Sequence, residues 1–259
     1  MPDFKSLVHG LLVSNFWLVR HFADFRRHLR GRHGLVDVIP LARARWHRGS
    51  RYFRAHDAEG RPLFVKTDGH HRLLANEIGA WETLRQRLAS PTRFAPVRQH
   101  ELDGPYPFAA FDWIYARPLA ELAPLPPASQ ARLADELSLL LHDLEAAGII
   151  HRDISPDNLL VTMEGGTIKR ITLIDFAFAA RDHVAASDER VPERELKDLA
   201  FGFKPAALRW DDAYACDLIL RRLLPLDAPT PPALDAITLR IGHRAFEHRL
   251  GASALPRSA

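Results

Sequence analysis

The sequence contains a single cysteine, Cys216, among 259 residues. One thiol cannot form a disulfide within the chain, which fits a reducing compartment, and it offers no cysteine partners for a zinc site. The 14 histidines are scattered through the chain without the tight spacing typical of paired metal ligands. The sequence therefore predicts no disulfide framework and gives no sign of a zinc site.

The N-terminal stretch SLVHGLLVSNFWLV, residues 6–19, contains no Lys, Arg, Asp or Glu. It is shorter than the roughly 20 residues that span a bilayer, and no A-x-A cleavage site follows it, so neither a membrane span nor a secretory signal is expected. Apolar residues recur at helical spacing in Leu7, Leu11, Leu18, Phe22 and Phe25. Two alternatives stay open: an amphipathic helix that contacts a membrane surface through residues 1–33, or a helix packed against the main domain.

Acidic residues are scarce at the front of the chain. Residues 1–54 hold 11 Lys and Arg against 3 Asp and Glu, whereas the whole chain has a net charge of +3. This basic front end favours an anionic neighbour such as membrane phosphates, nucleic acid or an acidic substrate. Nucleic acid is not expected, because no aromatic-interleaved platform or known reading motif accompanies the charge.

Turn residues and hydrophobic periodicity predict a mixture of strands and helices. Strands over 52–56 and 62–66 flank the turn DAEG, which is typical of a hairpin. Helical spacing predicts a helix over 71–88. The segment SQARLADELSLLLHDLEAAG predicts a second helix, with Ser129 as its N-cap and Gly148 just past its end. Residues 195–224 also have a helical pattern, broken by Pro205.

The segment HRDISPDNLLV, residues 151–161, carries the chemistry of the chain. Asp153 and Asn158 are separated by a turn-forming stretch, and Asp175 follows after about the length of a two-strand hairpin. Such a hairpin returns Asp175 beside Asn158, and two hard oxygen ligands side by side suit Mg²⁺. Asp153 would stand apart, free to accept a proton from an alcohol, as phosphoryl transfer requires.

HRDISPDNLLV resembles the catalytic loop of the protein-kinase-like superfamily, and LIDFA, residues 173–177, resembles its metal-binding D-F-G. The resemblance implies that Asp153 is the catalytic base, that Asn158 and Asp175 hold Mg²⁺, and that ATP is the phosphate donor. The family also has a lysine on an N-terminal strand and a glutamate on the next helix. Lys66 and Glu77 match these positions, and Glu82 is a less favourable neighbour because it faces another side of the helix.

The resemblance implies two further contacts with the nucleotide. The segment FAAFDWIYARPL would form the hinge between lobes, with the backbone around Asp112, Trp113 and Ile114 facing the adenine. The glycine-rich loop G-x-G-x-x-G is absent, and only Gly49 and Ser50 in WHRGSRY offer a phosphate-binding turn.

Several departures from the protein-kinase pattern indicate an atypical bacterial branch. Ser155 replaces a lysine, D-F-G reads Asp175-Phe176-Ala177, and no A-P-E follows. The late segments ERELKDLAFGF and RWDDAYACDLILRRLL resemble the closing helices of lipopolysaccharide-core and Kdo kinases.

The expected fold is α+β and protein-kinase-like, with two lobes. Residues 1–35 are expected to form the basic N-terminal helix, 36–115 a small β-rich N-lobe, and 116–259 a short, mainly helical C-lobe. The expected function is an ATP- and Mg²⁺-dependent kinase that phosphorylates an alcohol, with a sugar or glycolipid hydroxyl as the leading acceptor. A serine/threonine protein kinase and a pseudokinase scaffold are the alternatives. A cytoplasmic location is expected, with peripheral contact at the inner face of the membrane as an addition.

Overall fold

A computed structural model describes residues 4–41, 46, 50–67, 71–122, 124–181, 193–224 and 231–247. The chain forms two compact units. The first comprises residues 1–82 and 95–115, and the second comprises residues 83–94 and 116–259. The division into residues 1–35, 36–115 and 116–259 stays a prediction.

The N-terminal unit contains a five-stranded antiparallel sheet, the whole of one helix and the larger part of a second. Its elements are α1 (Phe4–His33), β1 (Val36–Leu41), β2 (Arg51–His56), β3 (Pro62–Thr67), α2 (His71–Arg87), β4 (Val97–Glu101) and β5 (Phe108–Asp112). The strand order is β1-β2-β3-β5-β4. The predicted hairpin is confirmed as β2 and β3, which pair from Arg51 opposite Thr67 to His56 opposite Pro62. Gly60 takes a φ of 77° in its turn, a conformation that glycine adopts without strain.

One side of α1 packs into the core of this unit. Trp17, Phe25 and Leu29 are buried together with Phe53 of β2. The ring centroids of Phe25 and Phe53 lie 4.9 Å apart, and those of Trp17 and Phe25 lie 5.6 Å apart in an edge-on arrangement. Aromatic side chains bury large apolar areas, so this contact fixes the helix on the sheet. The helix is therefore packed against the main domain along this side.

The C-terminal unit is mainly helical. Its elements are β6 (Arg117–Pro118), α3 (Pro127–Ala147), β7 (Ile149–Ile150), β8 (Leu159–Glu164), β9 (Thr167–Leu173), β10 (Ala180–Arg181), α4 (Glu193–Asp198), β11 (Arg209–Asp211), α5 (Asp212–Leu223), α6 (Pro232–Thr238) and β12 (Ala245–Glu247). Short 3-10 helices cover Leu119–Glu121 and Phe176–Phe178. The strands form one three-stranded sheet, β6-β8-β9, and two pairs, β7 with β10 and β11 with β12.

Helix α3 is the central helix of this unit, and one of its predicted ends is wrong. The helix begins at Pro127, so Ser129 lies inside it, where it is buried, and is not the N-cap. A proline fits the first helical position because its fixed φ suits the helix and the first N–H groups have no partner there. The predicted end is confirmed, since Gly148 follows the helix in the left-handed conformation with a φ of 69°. A buried stripe of leucines faces β9, α5 and α6.

The segment predicted as one broken helix over 195–224 contains more than a break. Helix α4 ends at Asp198, and α5 begins only at Asp212. Strand β11 lies between them because it pairs with β12, a partner far along the chain. Local periodicity does not report such a pairing.

The predicted α+β class is confirmed by this arrangement of an antiparallel N-terminal sheet followed by helices. Within the described residues, no helix combines the length and the hydrophobicity that crossing a membrane requires.

Candidate active site

The hairpin of β8 and β9 brings Asn158 next to Asp175. Leu159 pairs with Leu173, and the Ile174 N–H donates to the Asn158 carbonyl oxygen at 3.1 Å. Asn158 precedes one strand and Asp175 follows the other, so both side chains belong to the same end of the hairpin. The predicted return of the chain is therefore present.

Asn158 also holds Asp153. Its Nδ2 donates to the Asp153 backbone oxygen at 2.8 Å and to the carboxylate Oδ2 at 3.1 Å. Because both of these bonds use the amide nitrogen, the Oδ1 atom of Asn158 is the one that could bind a cation. The structure thus gathers Asp153, Asn158 and Asp175 at one end of the β8–β9 hairpin.

The Asp153 side chain is partly buried, and its surroundings favour the protonated, neutral carboxyl group. Burial, and next the negative charge of Asp175, raise the pKa of Asp153 to about 7, against bonds that favour the ionised form. One such bond comes from the Ala200 N–H, which donates to Asp153 Oδ1 at 2.6 Å. A carboxylate with a pKa near neutrality can both accept and release a proton at physiological pH.

His151 links the loop to the strand end that precedes Asp175. Its Nε2 lies 3.0 Å from the Ile174 carbonyl oxygen, and its Nδ1 accepts from the Asp153 N–H at 3.2 Å. One nitrogen must donate and the other must accept, which is the pattern of a neutral imidazole. Burial lowers the pKa of His151 to about 4, in agreement with a neutral ring. His151 is therefore a structural bridge within the site.

The backbone of the loop is fixed by Asp212, the first residue of α5. Its two carboxylate oxygens accept from the N–H groups of His151 at 2.6 Å and Arg152 at 3.1 Å. Burial raises the pKa of Asp212 to about 6, and the two backbone bonds oppose that rise. Asp212 is not among the site residues predicted from the sequence. An aspartate pair between a short apolar segment and a helical pattern, as in RWDDAYACDL, is the signal that could have found it.

Arg152 adopts a conformation that needs support from its surroundings. Its φ is 70°, a region that residues other than glycine seldom occupy. The guanidinium carbon lies 4.2 Å from the ring centroids of both Trp210 and Phe246, and Nη1 donates to the Phe178 carbonyl oxygen at 3.3 Å. These contacts, together with Asp212, hold the loop in the shape that positions Asp153.

Lys66 and Glu77 form a buried ion pair in the N-terminal unit. Lys66 Nζ donates to Glu77 Oε2 at 2.9 Å, and each residue is only 5% exposed. Lys66 lies on β3, where it pairs with Ala109 of β5, and Glu77 lies on α2. Glu82, the less favourable candidate, is exposed. The predicted partner of Lys66 is therefore in contact with it.

The other residues predicted to contact the nucleotide are Gly49, Ser50 and the segment from Asp112 to Ile114. Gly49 lies outside the described residues, and Ser50 is half-buried directly before β2. The N–H groups of Asp112 and Trp113 donate to the carbonyl oxygens of Pro96 and Pro62. The backbone N–H groups of Asp112 and Trp113 are therefore already bonded within the N-terminal unit.

The sequence also matches the model of a known protein family. The model of the family described as APH, phosphotransferase enzyme family, matches residues 18–186. That span includes every residue predicted to belong to the site.

Two curated relatives from Saccharomyces cerevisiae (strain ATCC 204508 / S288c) match a shorter stretch. Casein kinase I homolog 2 is 34% identical over 70 residues, which cover 27% of this chain and 13% of that protein. Casein kinase I homolog 1 is 36% identical over 70 residues, with the same coverage of 27% and 13%. The chain therefore matches only a small part of the length of these relatives.

Proposed function

Because this chain belongs to the phosphotransferase enzyme family, we propose that it transfers the γ-phosphate of ATP to an alcohol hydroxyl group with the help of Mg²⁺. The observation that carries the proposal is the meeting of Asp153, Asn158 and Asp175 at one end of the β8–β9 hairpin. A proton acceptor next to two oxygen ligands is the division of labour that phosphoryl transfer needs.

Asp153 is the proposed catalytic base. Its pKa of about 7 leaves a large fraction ionised at neutral pH, and a base with this pKa takes a hydroxyl proton more readily than an ordinary aspartate does. The bonds from Asn158 Nδ2 and the Ala200 N–H orient the carboxylate. Orientation of this kind lowers the entropic cost of bringing base and hydroxyl together.

Asn158 and Asp175 are the proposed ligands of Mg²⁺. They provide one amide oxygen and one carboxylate, a small set of hard ligands that suits an ion which retains water and phosphate oxygens. When bound, Mg²⁺ would neutralise negative charge on the phosphate groups of ATP. The N–H contact of Ile174 with Asn158 and the bridge through His151 keep the two ligands in register.

Lys66 is the proposed contact for the α- and β-phosphates of ATP, and Glu77 positions its ammonium group. A buried lysine without a counter-charge would tend to lose its proton, so the bond to Glu77 favours the cationic form that phosphates need. The backbone at Asp112, Trp113 and Ile114 is the proposed adenine contact, with Gly49 and Ser50 near the phosphates.

The proposed acceptor is a sugar or glycolipid hydroxyl. Ser155 in place of a loop lysine, together with the resemblance of the late segments to lipopolysaccharide-core and Kdo kinases, supports this choice. The alternative is a serine or threonine of a protein. The intact His151-Arg152-Asp153 triplet and the similarity to two casein kinase I homologs favour that alternative.

Peripheral membrane contact through residues 1–33 would bring a glycolipid acceptor within reach, and the surface of α1 supports it. Leu12, Phe16 and Val19 are 65%, 69% and 90% exposed. Arginines 20, 26, 27 and 30 are exposed along the same helix. Apolar side chains with neighbouring arginines are typical of a helix that lies on an anionic surface.

The experiment is phosphate transfer from labelled ATP to a glycolipid extract and, in parallel, to a protein extract. Asp153→Asn and Asp175→Asn should lower transfer by at least about 100-fold, because each removes a group that acts in the transition state. Asp157→Asn is the matched control, since Asp157 is exposed in the same loop. Label in the lipid fraction supports the proposed acceptor, and label in proteins supports the alternative. Transfer that survives in both active-site variants, or no ATP turnover by the wild type, would contradict the assignment and favour a scaffold.

A further inference from the structure

Two histidines and one glutamate from distant parts of the chain meet in the N-terminal unit. His28 and His33 lie in the last turns of α1, and Glu101 is the last residue of β4. The Nε2 atoms of His28 and His33 lie 2.6 and 2.8 Å from one carboxylate oxygen, Glu101 Oε2. The three possible ligand atoms all lie within 4.8 Å of one another.

We propose that His28, His33 and Glu101 bind a divalent transition-metal ion of the zinc class. Two imidazole nitrogens and one carboxylate oxygen are a ligand set that Zn²⁺ accepts, with a solvent molecule in the fourth position. Imidazole ligands disfavour Mg²⁺ and Ca²⁺, which select oxygen donors. The site is thus chemically distinct from the Mg²⁺ ligands proposed for ATP.

The geometry requires only a small adjustment to hold such an ion. Metal–ligand distances of about 2.1 Å in a tetrahedron separate neighbouring ligand atoms by roughly 3.4 Å. The observed Nε2–Oε2 distances are 2.6 and 2.8 Å, so an opening of less than about 1 Å would admit the ion. Both rings already point their Nε2 atoms at the same place. The carboxyl end of α1 also carries a partial negative charge, which favours a cation there.

The surroundings of Glu101 keep its carboxylate in place. A Cβ atom added at Gly104 would collide with that carboxylate, so glycine at this position leaves the space that the side chain occupies. Arg32 Nη1 donates to the other oxygen, Oε1, at 3.2 Å, which leaves Oε2 facing the histidines.

Aromatic neighbours restrict the two imidazole rings. The His33 ring meets Phe108 edge-on with 4.8 Å between centroids, and the His28 ring lies 5.9 Å from that of Tyr106. Because packing limits their rotation, the rings lose little freedom when they bind an ion. Such a site would fasten the end of α1 to β4, an edge strand of the sheet.

The test is zinc binding by the full chain after treatment with a chelator, in an excess of Mg²⁺ that occupies sites with oxygen ligands. We expect one Zn²⁺ per chain in equilibrium dialysis and a rise in Tm of about 5 °C or more at saturation. Co²⁺ in the same site should give the intense visible absorption of tetrahedral coordination. The double variant His28→Asn/His33→Asn should lose all three signals, whereas His100→Asn should retain them, since His100 is exposed beside Glu101.

Equal zinc binding by the wild type and the double variant would overturn the proposal and leave these residues as a hydrogen-bonded clasp without metal. Gly104→Ala provides a second variant that keeps every ligand. Its φ lies outside the left-handed region, so alanine strains only the Glu101 side chain. We expect about tenfold weaker zinc binding, as for other changes that displace a ligand from its support. Unchanged affinity in Gly104→Ala would contradict the assignment of Glu101 as a ligand.

Discussion

At the scale of single residues, the proposed base should titrate far from the range of an ordinary aspartate. Burial and Asp175 raise the pKa of Asp153 to about 7, and only the ionised form can accept a proton. The pH dependence of kcat/KM reports the ionisation of the free enzyme. The value of kcat/KM should therefore fall about tenfold for each pH unit below about 7 and level off above it.

Carbon-13 NMR of the aspartate carboxyl groups measures this titration without activity. One signal should titrate near pH 7 in the wild type, disappear in Asp153→Asn, and move to lower pH in Asp175→Asn, because that change removes a nearby negative charge. Asp212, whose pKa is raised by burial to about 6, should give a second displaced signal that persists in Asp153→Asn. If the Asp212 signal is the one aspartate signal that titrates above the usual range, Asp153 is an ordinary aspartate.

Asp212 should contribute to both stability and activity, although it is not one of the predicted catalytic or ligand-binding residues. Asp212→Ala leaves the buried N–H groups of His151 and Arg152 without their acceptors. Such a loss costs about 2–4 kcal/mol of unfolding free energy. Release of the unfavourable φ at Arg152 should also displace Asp153 and lower kcat.

Urea denaturation and kcat measurements check this prediction together. Asp212→Asn, which keeps one acceptor oxygen, should fall between the wild type and Asp212→Ala. Asp157→Ala, an exposed change in the same loop, should alter neither quantity by much. If Asp212→Ala unfolds like Asp157→Ala, the two backbone bonds do not hold the loop.

At the scale of elements, local signals predicted the pieces and their order but not their long-range partners. The turn DAEG and the glycine after α3 report local backbone conformation, so the hairpin and the end of that helix were predicted correctly. Strand β11 and the start of α3 differ from the prediction. Strand β11 depends on its pairing with β12, and α3 begins at Pro127, before the predicted cap Ser129.

The candidate site followed the same rule. Asp153, Asn158 and Asp175 were predictable because one hairpin joins them within a short stretch of sequence. Asp212 and the cluster of His28, His33 and Glu101 were not, since their partners lie 60 or more residues away. Spacing along the chain cannot report contacts that only the packed fold creates.

The ion pair between Lys66 of β3 and Glu77 of α2 gives a prediction about the free energy of unfolding. Lys66 and Glu77 are both buried, so removing either one breaks a buried ion pair. We expect Lys66→Met and Glu77→Leu each to lower the unfolding free energy by about 3–5 kcal/mol. The double variant should recover most of that loss, because two apolar side chains replace the pair.

The double variant should recover stability but not activity. All three variants should lose phosphate transfer, since Lys66 is the proposed phosphate contact and Glu77 positions it. Glu82→Gln, an exposed change on the same helix, should leave both quantities near the wild type. A double variant as unstable as the sum of the single ones, measured by chemical denaturation, would show that the pair does not act as a unit.

At the scale of the whole chain, the basic N-terminal region, residues 1–54, and the exposed side of α1 are the features relevant to membrane binding. The opposite side of α1 belongs to the core through Trp17, Phe25 and Leu29. Deletion of the helix would expose that core, and loss of vesicle binding would then be indistinguishable from loss of the fold. A test needs surface substitutions that leave the packed side intact.

We expect the protein to sediment with vesicles that contain anionic lipid, and less so as salt concentration rises, because part of the attraction comes from arginines. Phe16→Glu/Val19→Glu should abolish this binding with little change in Tm, since both side chains are exposed. Leu239→Glu is the matched control, because Leu239 is 75% exposed in the other unit and its substitution adds the same kind of charge. Equal sedimentation of the wild type and the Phe16→Glu/Val19→Glu variant would show that this face of α1 does not bind membranes. A glycolipid acceptor would then have to reach the enzyme without help from this helix.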